Sequence, residues 1–440
     1  MDAKSVAKIL ENEKAQFLRL QFTDINGLNK AVEVPAPQFG KALSGNILFD
    51  GSSLEGTARE TEEDMLLQPD YSTLKVLASE DSIGPIARLI CDIKNPDGSP
   101  SPSCPRSVLR RVNDEFAKLG FETNCGPEVE FFLFHRSPDG APTIRSFDPG
   151  GYFDQAPIDR GELVRRRIID ELVKLEISVE ASHHEVARGQ HEVDFRHTDA
   201  LRTADNLATF KFIARRVAAD YNLHATFMPK PLYGVSGSGL HMHLSVSRKG
   251  TNAFFDTKGE HELSDTARYF IAGLLEHARG ITAITNPLVN SYKRLVRGYE
   301  APTHVAWSAR NQSPLCRVPA RRGESTRVEY RAPDPSCNPY LALAVILASG
   351  LDGLKEKLEL GPPVNKNIFR MSARERGRLR VGELPANLDE ALHFMEKDRL
   401  VRQTLGDTIY FHFLQAKERE WEDYISQVHS WEIDRYLTSY

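Results

Sequence analysis

Two periods of hydrophobicity share this chain. In FLRLQFTDING, KAVEVP and ARLICDI, all within the first hundred residues, apolar side chains recur at every second position, as half-buried strands require. Further on, SVLRRVNDEFAKLG, RGELVRRRIIDELVKLE and ALRTADNLATFKFIARRVAADY repeat them at three- and four-residue spacing, which predicts amphipathic helices. Short strand patterns alternate with these helices: GPEVEFFLF, ISVEASHHEV, QHEVDFR, HATFMPKP, GLHMHLSV and RVEYRAP. A short helix opens the chain, and a helical tail is predicted from about Asn338 onward. The order predicts an α+β fold, a small strand-rich domain followed by a larger mixed one.

The segment NPDGSPSPSCPRS gathers Pro, Gly and Ser and predicts the boundary, giving domains 1–103 and 104–440. A Gly-rich loop is expected around Leu48 to Gly56. At roughly 100–200 residues per domain, 440 residues suit two or three domains. Hydrophobic residues make up 40% and charged residues 27%, with no run of ~18 apolar residues to span a bilayer, so no membrane partner is expected. The opening MDAKSVAKILENEKAQFLRLQFTD mixes charges of both signs and lacks an apolar export core, which predicts a cytoplasmic protein. A net charge of -5 offers no broad positive field for nucleic acid. The basic runs Arg165, Arg166, Arg167 and Arg374, Arg376, Arg378, Arg380 read as solvated helix faces. Five cysteines, Cys91, Cys104, Cys125, Cys316 and Cys337, are odd in number and form no C-x-x-C pair, so isolated thiols are expected.

Chemistry becomes visible where the strand alternation turns polar. Side chains two apart on a strand share a face. Glu128 with Glu130, His241 with His243, and Arg327 with Glu329 and Arg331 therefore project together. Such a face is costly to bury unless it surrounds ions or a charged ligand. Taken singly, each glutamate also fits an ordinary solvated face. Taken jointly, Glu128, Glu130, Glu185, Glu192 and Glu329 with His241 form an oxygen-rich donor set suited to Mg²⁺ or Mn²⁺, with capacity for two or three ions. In KPLYGVSGSGLH, Gly234, Gly237 and Gly239 allow a tight loop whose N–H groups can face an anion. Neither G-x-x-x-x-G-K-[ST] nor G-x-G-x-x-G is present, so a nucleotide would be held through metals and arginines.

The blocks FDGSSLEG, GPEVEFFLF, SHHEV with GQHEVDF, KPLYGVSGSGLH, NSYKRLVRGYEAP and RVEYRAPDPSCNPYLAL resemble, in order, the main motifs of type I glutamine synthetases. The likeness runs from about residue 15 to Tyr440. It implies a β-grasp domain followed by a catalytic domain, an open β-barrel of strands with surrounding helices. It also implies a dodecamer of two stacked hexamer rings, each active site being completed by a neighbouring subunit. The implied reaction forms glutamine from glutamate, ammonia and ATP through γ-glutamyl phosphate. Glu130, Glu185 and Glu192 are implied ligands of one metal, and Glu128, His241 and Glu329 of a second. The implied catalytic residues are Asp50, Glu300, Arg317 and Arg331, with Asp50 coming from the adjacent subunit and Glu300 from a mobile flap. Substrate contacts fall to Tyr152, Glu130, Ser236, Gly237, Arg294 and Gln312, and nucleotide contacts to His243, Ser245, Arg327 and Glu180.

Four positions depart from those motifs. Ser236 stands where relatives carry asparagine, and Gln312 replaces an arginine that faces the transferred phosphoryl group, a charge that Gln cannot supply. Arg188 and Arg297 appear where relatives have proline. Three readings follow: neutral loop drift around a glutamine-forming site, a site retuned for another carboxylate, or a weakened paralogue with a regulatory role. Phe369 occupies a common tyrosine position, and the segment that some bacterial relatives adenylylate is missing, so control by adenylylation is not expected. Arg59 matches a position that contacts product in feedback-inhibited relatives.

Overall fold

A computed structural model describes residues 1–51, 64–77 and 84–440. Arg59, and most of the glycine-rich block that ends at Gly56, lie outside the described residues. Strands β1 (Phe17–Thr23), β2 (Asn29–Pro35), β3 (Ile47–Asp50), β4 (Asp64–Leu77) and β5 (Ile86–Lys94) form one sheet in the order β2-β1-β5-β4-β3. Its central pair β1/β5 is parallel and the other pairs are antiparallel. Helices α1 (Ala3–Asn12), started by the Asp2 side chain accepting from Ser5 N–H, and α2 (Phe39–Leu43) pack on it. Val6, Leu10, Leu18, Leu20, Leu67 and Leu89 fill the interface, giving a β-grasp arrangement. Strand β4 is absent from the hydrophobic pattern because Pro69 and the polar Asp70–Ser72 break the alternation. The ladder shifts register between Asp70 and Lys75 at a bulge.

The rest of the chain is organised by β6 (Glu122–Arg136), a strand of 15 residues. It carries β7 (Pro142–Ser146) and β10 (Leu223–Thr226) near its end. Together with β8 (Val179–His184), β9 (Gln190–Phe195), β11 (Leu240–Arg248), β14 (Trp307–Ser308), β15 (Cys316–Arg317) and β16 (Val328–Tyr330), it forms the row β14-β15-β16-β11-β6-β9-β8. The two ends of that row are not paired with each other, so the sheet stays open, while β12 (Thr251–Asn252) extends from β11. A separate ribbon joins β13 (His304–Val305) to β17 (Gly382–Glu383).

Alternation gives β6 two faces: Cys125, Val129, Phe131 and Leu133 are buried in the core, and Glu128 and Glu130 point the other way. Helices α3 (Pro105–Lys118), α4 (Glu162–Lys174) and α5 (Ala200–Asp220) contribute to that core. Helices α6 (Asp265–Glu276), α7 (Ala278–Thr285), the short α8 (Ser291–Arg294) and α9 (Pro339–Glu356) complete it. The LALAVILASGL stretch of α9 is apolar on every side and buried on nearly every side, as a central helix must be. The expected helical tail is interrupted after α9 at Gly361–Pro362–Pro363. It resumes with α10 (Ala373–Arg378), α11 (Leu388–Lys397), α12 (Arg399–Leu405), α13 (Asp407–Ile425) and α14 (Ser430–Tyr436). No helix among the described residues is long and apolar enough to cross a membrane. All five cysteines are buried free thiols. One basic run is not wholly a solvated face: Arg165 is buried on Asp159 at 2.7 Å, because neighbours on a helix point to different sides.

Arg106 on α3 joins the smaller sheet to the helical core of the larger domain. Its guanidinium takes both oxygens of Asp205 on α5 at 2.9 Å, Asp92 on β5 at 2.9 Å and Asp70 on β4 at 2.8 Å. Tyr340 on α9 donates to the same Asp205 at 2.8 Å. A second tie is Asn338, which caps α9 by accepting from Tyr340 and Leu341 N–H and donates to the carbonyls of Asp24 and Ile25. Gly27 permits that approach: its φ is +82°, and a Cβ there would lie 2.7 Å from Asn338 Cα.

Removing one partner of a buried ion pair costs roughly 3–5 kcal/mol, because the other charge is left desolvated. Arg106→Met is therefore expected to lower the thermal unfolding midpoint sharply. Arg110→Ala, which removes a side chain 40% exposed and also paired to Asp92, should cost under about 1 kcal/mol. Equal losses in the two variants would refute a special role for Arg106.

Candidate active site

The polar face of the larger sheet lines a cavity of about 510 Å³. Strand register explains who meets whom. Glu128 lies opposite His241, Glu130 opposite Glu192, Glu329 opposite both His243 and Arg317, and His183 opposite Glu192. Facing residues bring their Cβ atoms to roughly 5 Å, so six strands converge their acids, imidazoles and guanidiniums by pairing alone.

Two groups of donors result. In the first, His241 Nδ1 lies 3.3 Å from Glu128 and 3.7 Å from Glu329, and the three ligand atoms fall within 4.8 Å of one another. In the second, His183 lies 3.8 Å from Glu185 and 3.6 Å from Glu192, again with ligand atoms within 4.8 Å. Glu130 stands between them. Its Oε2 accepts from Gly239 N–H and Gln190 Nε2, both at 2.9 Å, and its Oε1 is 4.0 Å from His241 Nε2. A Cβ at 239 would lie 2.6 Å from Arg294 Nη2 and 2.9 Å from His241 Nε2, so any larger residue there would displace both side chains.

Electrostatics separates the two groups. Burial raises Glu128, but hydrogen bonds from His241 and His243 outweigh it and hold the carboxyl far below its usual range. Glu329 is likewise held down, against burial, by Arg331 and the two imidazoles. In the second group burial and the charge of Glu130 push Glu185 up to about 7 and raise Glu192 further. Burial also raises Asp194, which lines the cavity opposite Glu128. Carboxylates so crowded and so dry are stable as anions only beside positive charge. The lining holds seven carboxylates against three guanidiniums, so this donor set fits hard divalent cations, with His183 added to the expected ligands.

The cations are positioned by their own anchors. Arg317 Nη1 donates to Glu329 at 2.8 Å, and Arg331 donates to the other oxygen of Glu329. Arg294 donates to the carbonyls of Ala332 at 2.6 Å and Arg331 at 3.1 Å. Arg327 Nε donates to His243 Nδ1 at 2.9 Å, which leaves the other ring N–H to donate to Glu128 at 2.6 Å. Behind the second group lies a buried network. His184 faces acceptors on both ring nitrogens, Glu185 carbonyl at 2.7 Å and Asp148 at 2.9 Å, while His191 Nδ1 accepts from Arg165 at 2.9 Å. These bonds engage both ring nitrogens of His184 and Nδ1 of His191, and they tie down the β8–β9 hairpin that carries Glu185 and Glu192.

Of the residues named from sequence, the cavity gathers Glu128, Glu130, Tyr152, Glu185, Glu192, Ser236, Gly237, His241, Arg294, Glu300, Gln312, Arg317, Glu329 and Arg331. His243 and Arg327 adjoin it through Glu128. Ser245 continues the His243 face of β11 beside Asn124, and exposed Glu180 lies near enough for its charge to act on Arg327. Asp50 is not brought in: it ends β3, exposed, on the smaller sheet. Arg188 is exposed in the turn before β9, and Arg297 is bound to Glu383 at 2.8 Å; neither lines the cavity. Sequence reasoning missed His183 and Asp194. Both obey the same two-residue rule, His183 before Glu185 and Asp194 after Glu192.

Comparison with known proteins agrees in extent with this architecture. Residues 14–96 match the family description "Glutamine synthetase, beta-Grasp domain" and residues 102–436 match "Glutamine synthetase, catalytic domain". The chain is 56% identical to a glutamine synthetase of Thermus thermophilus over 99% of its own length and 98% of that protein. It is 51% identical, over the same shares, to one of Staphylococcus aureus. Among solved structures it is similar to "GmaS/ADP complex-Conformation 1", with a TM-score of 0.89 at 34% identity over 98% of this chain and 99% of that one. A cryo-EM glutamine synthetase of Plasmodium falciparum, 24% identical, shares the fold with a TM-score of 0.86 over 99% of each chain.

Because Glu185 is raised from an ordinary 4.5 to about 7, its protonated form favours the ion-free fold at low pH, and that contribution is lost as pH rises through about 7. The thermal midpoint of metal-stripped protein should fall over this window, and saturating Mn²⁺ should abolish the fall. Calorimetry near pH 6.5 in buffers of different ionisation enthalpy should show protons released on Mn²⁺ binding. No release and no change of slope would contradict the crowded-carboxylate account.

Proposed function

The chain belongs to the glutamine synthetase family, and on that premise we propose that it makes glutamine from glutamate, ammonia and ATP through γ-glutamyl phosphate. One observation carries this reading: a single cavity joins an oxygen-rich donor set to buried Arg294 and to Glu300 at its mouth. Two or three Mg²⁺ or Mn²⁺ ions, held by Glu128, His241 and Glu329 and by Glu130, Glu185 and Glu192 with His183, would neutralise phosphate charge and polarise the transferring group.

The protein groups then divide the work. Arg317 and Arg331, fixed on Glu329, offer their remaining N–H groups to the transferring phosphoryl oxygens. Arg294 spends two N–H groups on backbone carbonyls and presents the rest to the α-carboxylate of glutamate, which Ser236 and Gly237 border. His243, Ser245, Arg327 and Glu180 flank the nucleotide. Tyr152, Glu300 and Asp50 surround ammonium. Asp50 does not reach its own chain's cavity, so a neighbouring subunit supplies it, as in a dodecamer of two hexamer rings. There its carboxylate takes a proton from ammonium, and the ammonia formed attacks the acyl carbon; the C–O bond to phosphate breaks, and inorganic phosphate leaves carrying the extra proton of the new amide nitrogen. Glu300, strained at φ 40°, closes the mouth and keeps water from the intermediate. The catalytic domain so assigned begins at about residue 104, after the β-grasp domain of residues 1–103.

Gln312 favours a second reading. It lines the cavity where the family likeness leads one to expect arginine, as Ser236 does where asparagine is expected. Either the acid substrate differs from glutamate or phosphoryl transfer is weakened. Arg188 and Arg297 lend no support, since neither lines the cavity.

A panel of acids and amines scored by ADP release, with product masses, separates the readings. Glutamate with ammonium should be turned over fastest, and Gln312→Arg should change kcat by less than about tenfold. A phosphoryl-transfer arginine is worth about 10³–10⁵ in rate, so a gain on that scale, or a better acid, would establish the second reading. Glu300→Ala should release more ADP than glutamine as water reaches the acyl phosphate; ADP and glutamine falling together would sink its role as a shield.

A further inference from the structure

A second cavity, of about 460 Å³, lies between the Ile25–Leu28 turn of the smaller domain, the later half of α5, the segment that follows α7, and α13. Its walls are largely apolar, with Ile25, Phe227, Ile284, Leu288, Leu341 and Phe413. Into this lining α5 sends two cations one helical turn apart, Lys211 and Arg215, which therefore share a face. Lys211 is only 7% exposed, and its Nζ donates to the Cys337 carbonyl at 2.9 Å. Arg215 lies over the Phe227 ring at 5.2 Å. Among the described residues, neither has a carboxylate within ion-pair distance. The third cation of the lining, Lys417, is matched by Glu420 at 2.7 Å, and the other oxygen of Glu420 accepts from Val289 N–H at 3.1 Å. The cavity thus holds one buried cation, Lys211, with no carboxylate at ion-pair distance, and at its edge a second, exposed one, Arg215. Burial pushes Lys211 down to about 8 and lowers Arg215 as well. A folded protein seldom buries a lysine beside a second cation unless something answers it.

We propose that this cavity is a second ligand site, which takes a small organic carboxylate with an apolar body, its anionic head on Lys211 and Arg215 and its body against the apolar walls. Carbonyl and aromatic partners keep both cations in place while leaving donors unspent, and mixed polar and apolar lining is the ordinary make-up of a small-molecule site. The site is also joined to the catalytic cavity. Pro287 and Leu288 of its wall lead into Asn290, which exchanges bonds with Lys230 at 2.7 and 3.1 Å, and then into α8 with Arg294. Pro335 and Ser336 of its wall follow Arg331 and Ala332, whose carbonyls receive Arg294. A ligand seated here bears on both anchors of the guanidinium that lines the catalytic cavity. Coupling between two such sites is reciprocal.

The test uses the assembled full-length protein, titrated calorimetrically with benzoate, with acetate as a charge lacking an apolar body, benzyl alcohol as a body lacking charge, and inorganic phosphate as a different anion. Benzoate should bind at least about tenfold more tightly than any of the three, and saturating glutamate should at most shift its affinity to a plateau, not compete it away. Arg215→Gln should weaken benzoate about tenfold. Lys211→Met should abolish binding while leaving the thermal midpoint unchanged or raising it, since it removes a buried unmatched charge. Competitive displacement by glutamate that grows without limit as glutamate rises, equal binding in the wild type and both variants, tighter binding of phosphate, or no benzoate heat at tens of millimolar would each overturn the proposal. Binding is read without turnover, so its failure leaves the glutamine-forming assignment untouched, and the reverse holds too.

Discussion

Repulsion among carboxylates that share one dry face of a sheet is the constraint on which this protein is built. Glu130, Glu185, Glu192 and Asp194 meet where burial and mutual charge raise most of them. Left alone, such a face would be relieved by protonation or by splaying the strands. What keeps it together is that the acids sit on or beside hydrogen-bonded strands, as Glu128 and Glu130 do on β6, whose opposite face Val129 and Phe131 lock into the core. The crowding is imposed by hydrogen-bonded register, and the free energy it costs returns as affinity for cations.

The surrounding hydrogen bonds follow from that demand. An acid that is to hold an ion, as proposed for Glu130, would have to be aimed and still keep a free oxygen. Glu130 shows how: Gly239 N–H and Gln190 share one oxygen and leave the other toward His241. Glu329 lets Arg317 and Arg331 divide its oxygens, so the two guanidiniums reach the cavity already oriented. Arg106 works at the scale of whole domains. By gathering carboxylates from β4, β5 and α5 it fixes the smaller sheet against the catalytic core, and any surface the smaller domain offers a neighbouring subunit is set relative to the active site by that bond set.

Legibility in the sequence tracks how local each determinant is. The strand pairs Glu128/Glu130 and His241/His243 could be read directly, because a two-residue period is a property of the backbone. The same rule covers His183 and Asp194, but their share in the site depends on the β8–β9–β6 register, which no local pattern contains. Arg106 was invisible for a related reason: its carboxylate partners stand 14, 36 and 99 positions away. Arg165 was misjudged because a run of three arginines looks solvated, although successive helix positions turn by about 100° and one of them must face inward. Strand β4 was hidden by Pro69 and a bulge, and the break in the helical tail was signalled by Gly361–Pro362–Pro363 but outweighed by the periodic segments around it.

The departures near the cavity separate once positions are known. A charge added to a loop changes catalysis only if it faces the reacting groups. Arg297 spends its charge on Glu383, and Arg188 is exposed in a turn outside the lining. Gln312 and Ser236 do face the cavity, where seven carboxylates already exceed three guanidiniums. Loss of one cation in such a field matters in proportion to how little other positive charge is nearby, and bound divalent ions would supply more of it than any single arginine. On the proposed reading, Gln312 would weaken the site most where ions are weakly held, and the affinity of the Glu185, Glu192 and His183 group for a divalent ion would decide how much the absence of an arginine is felt.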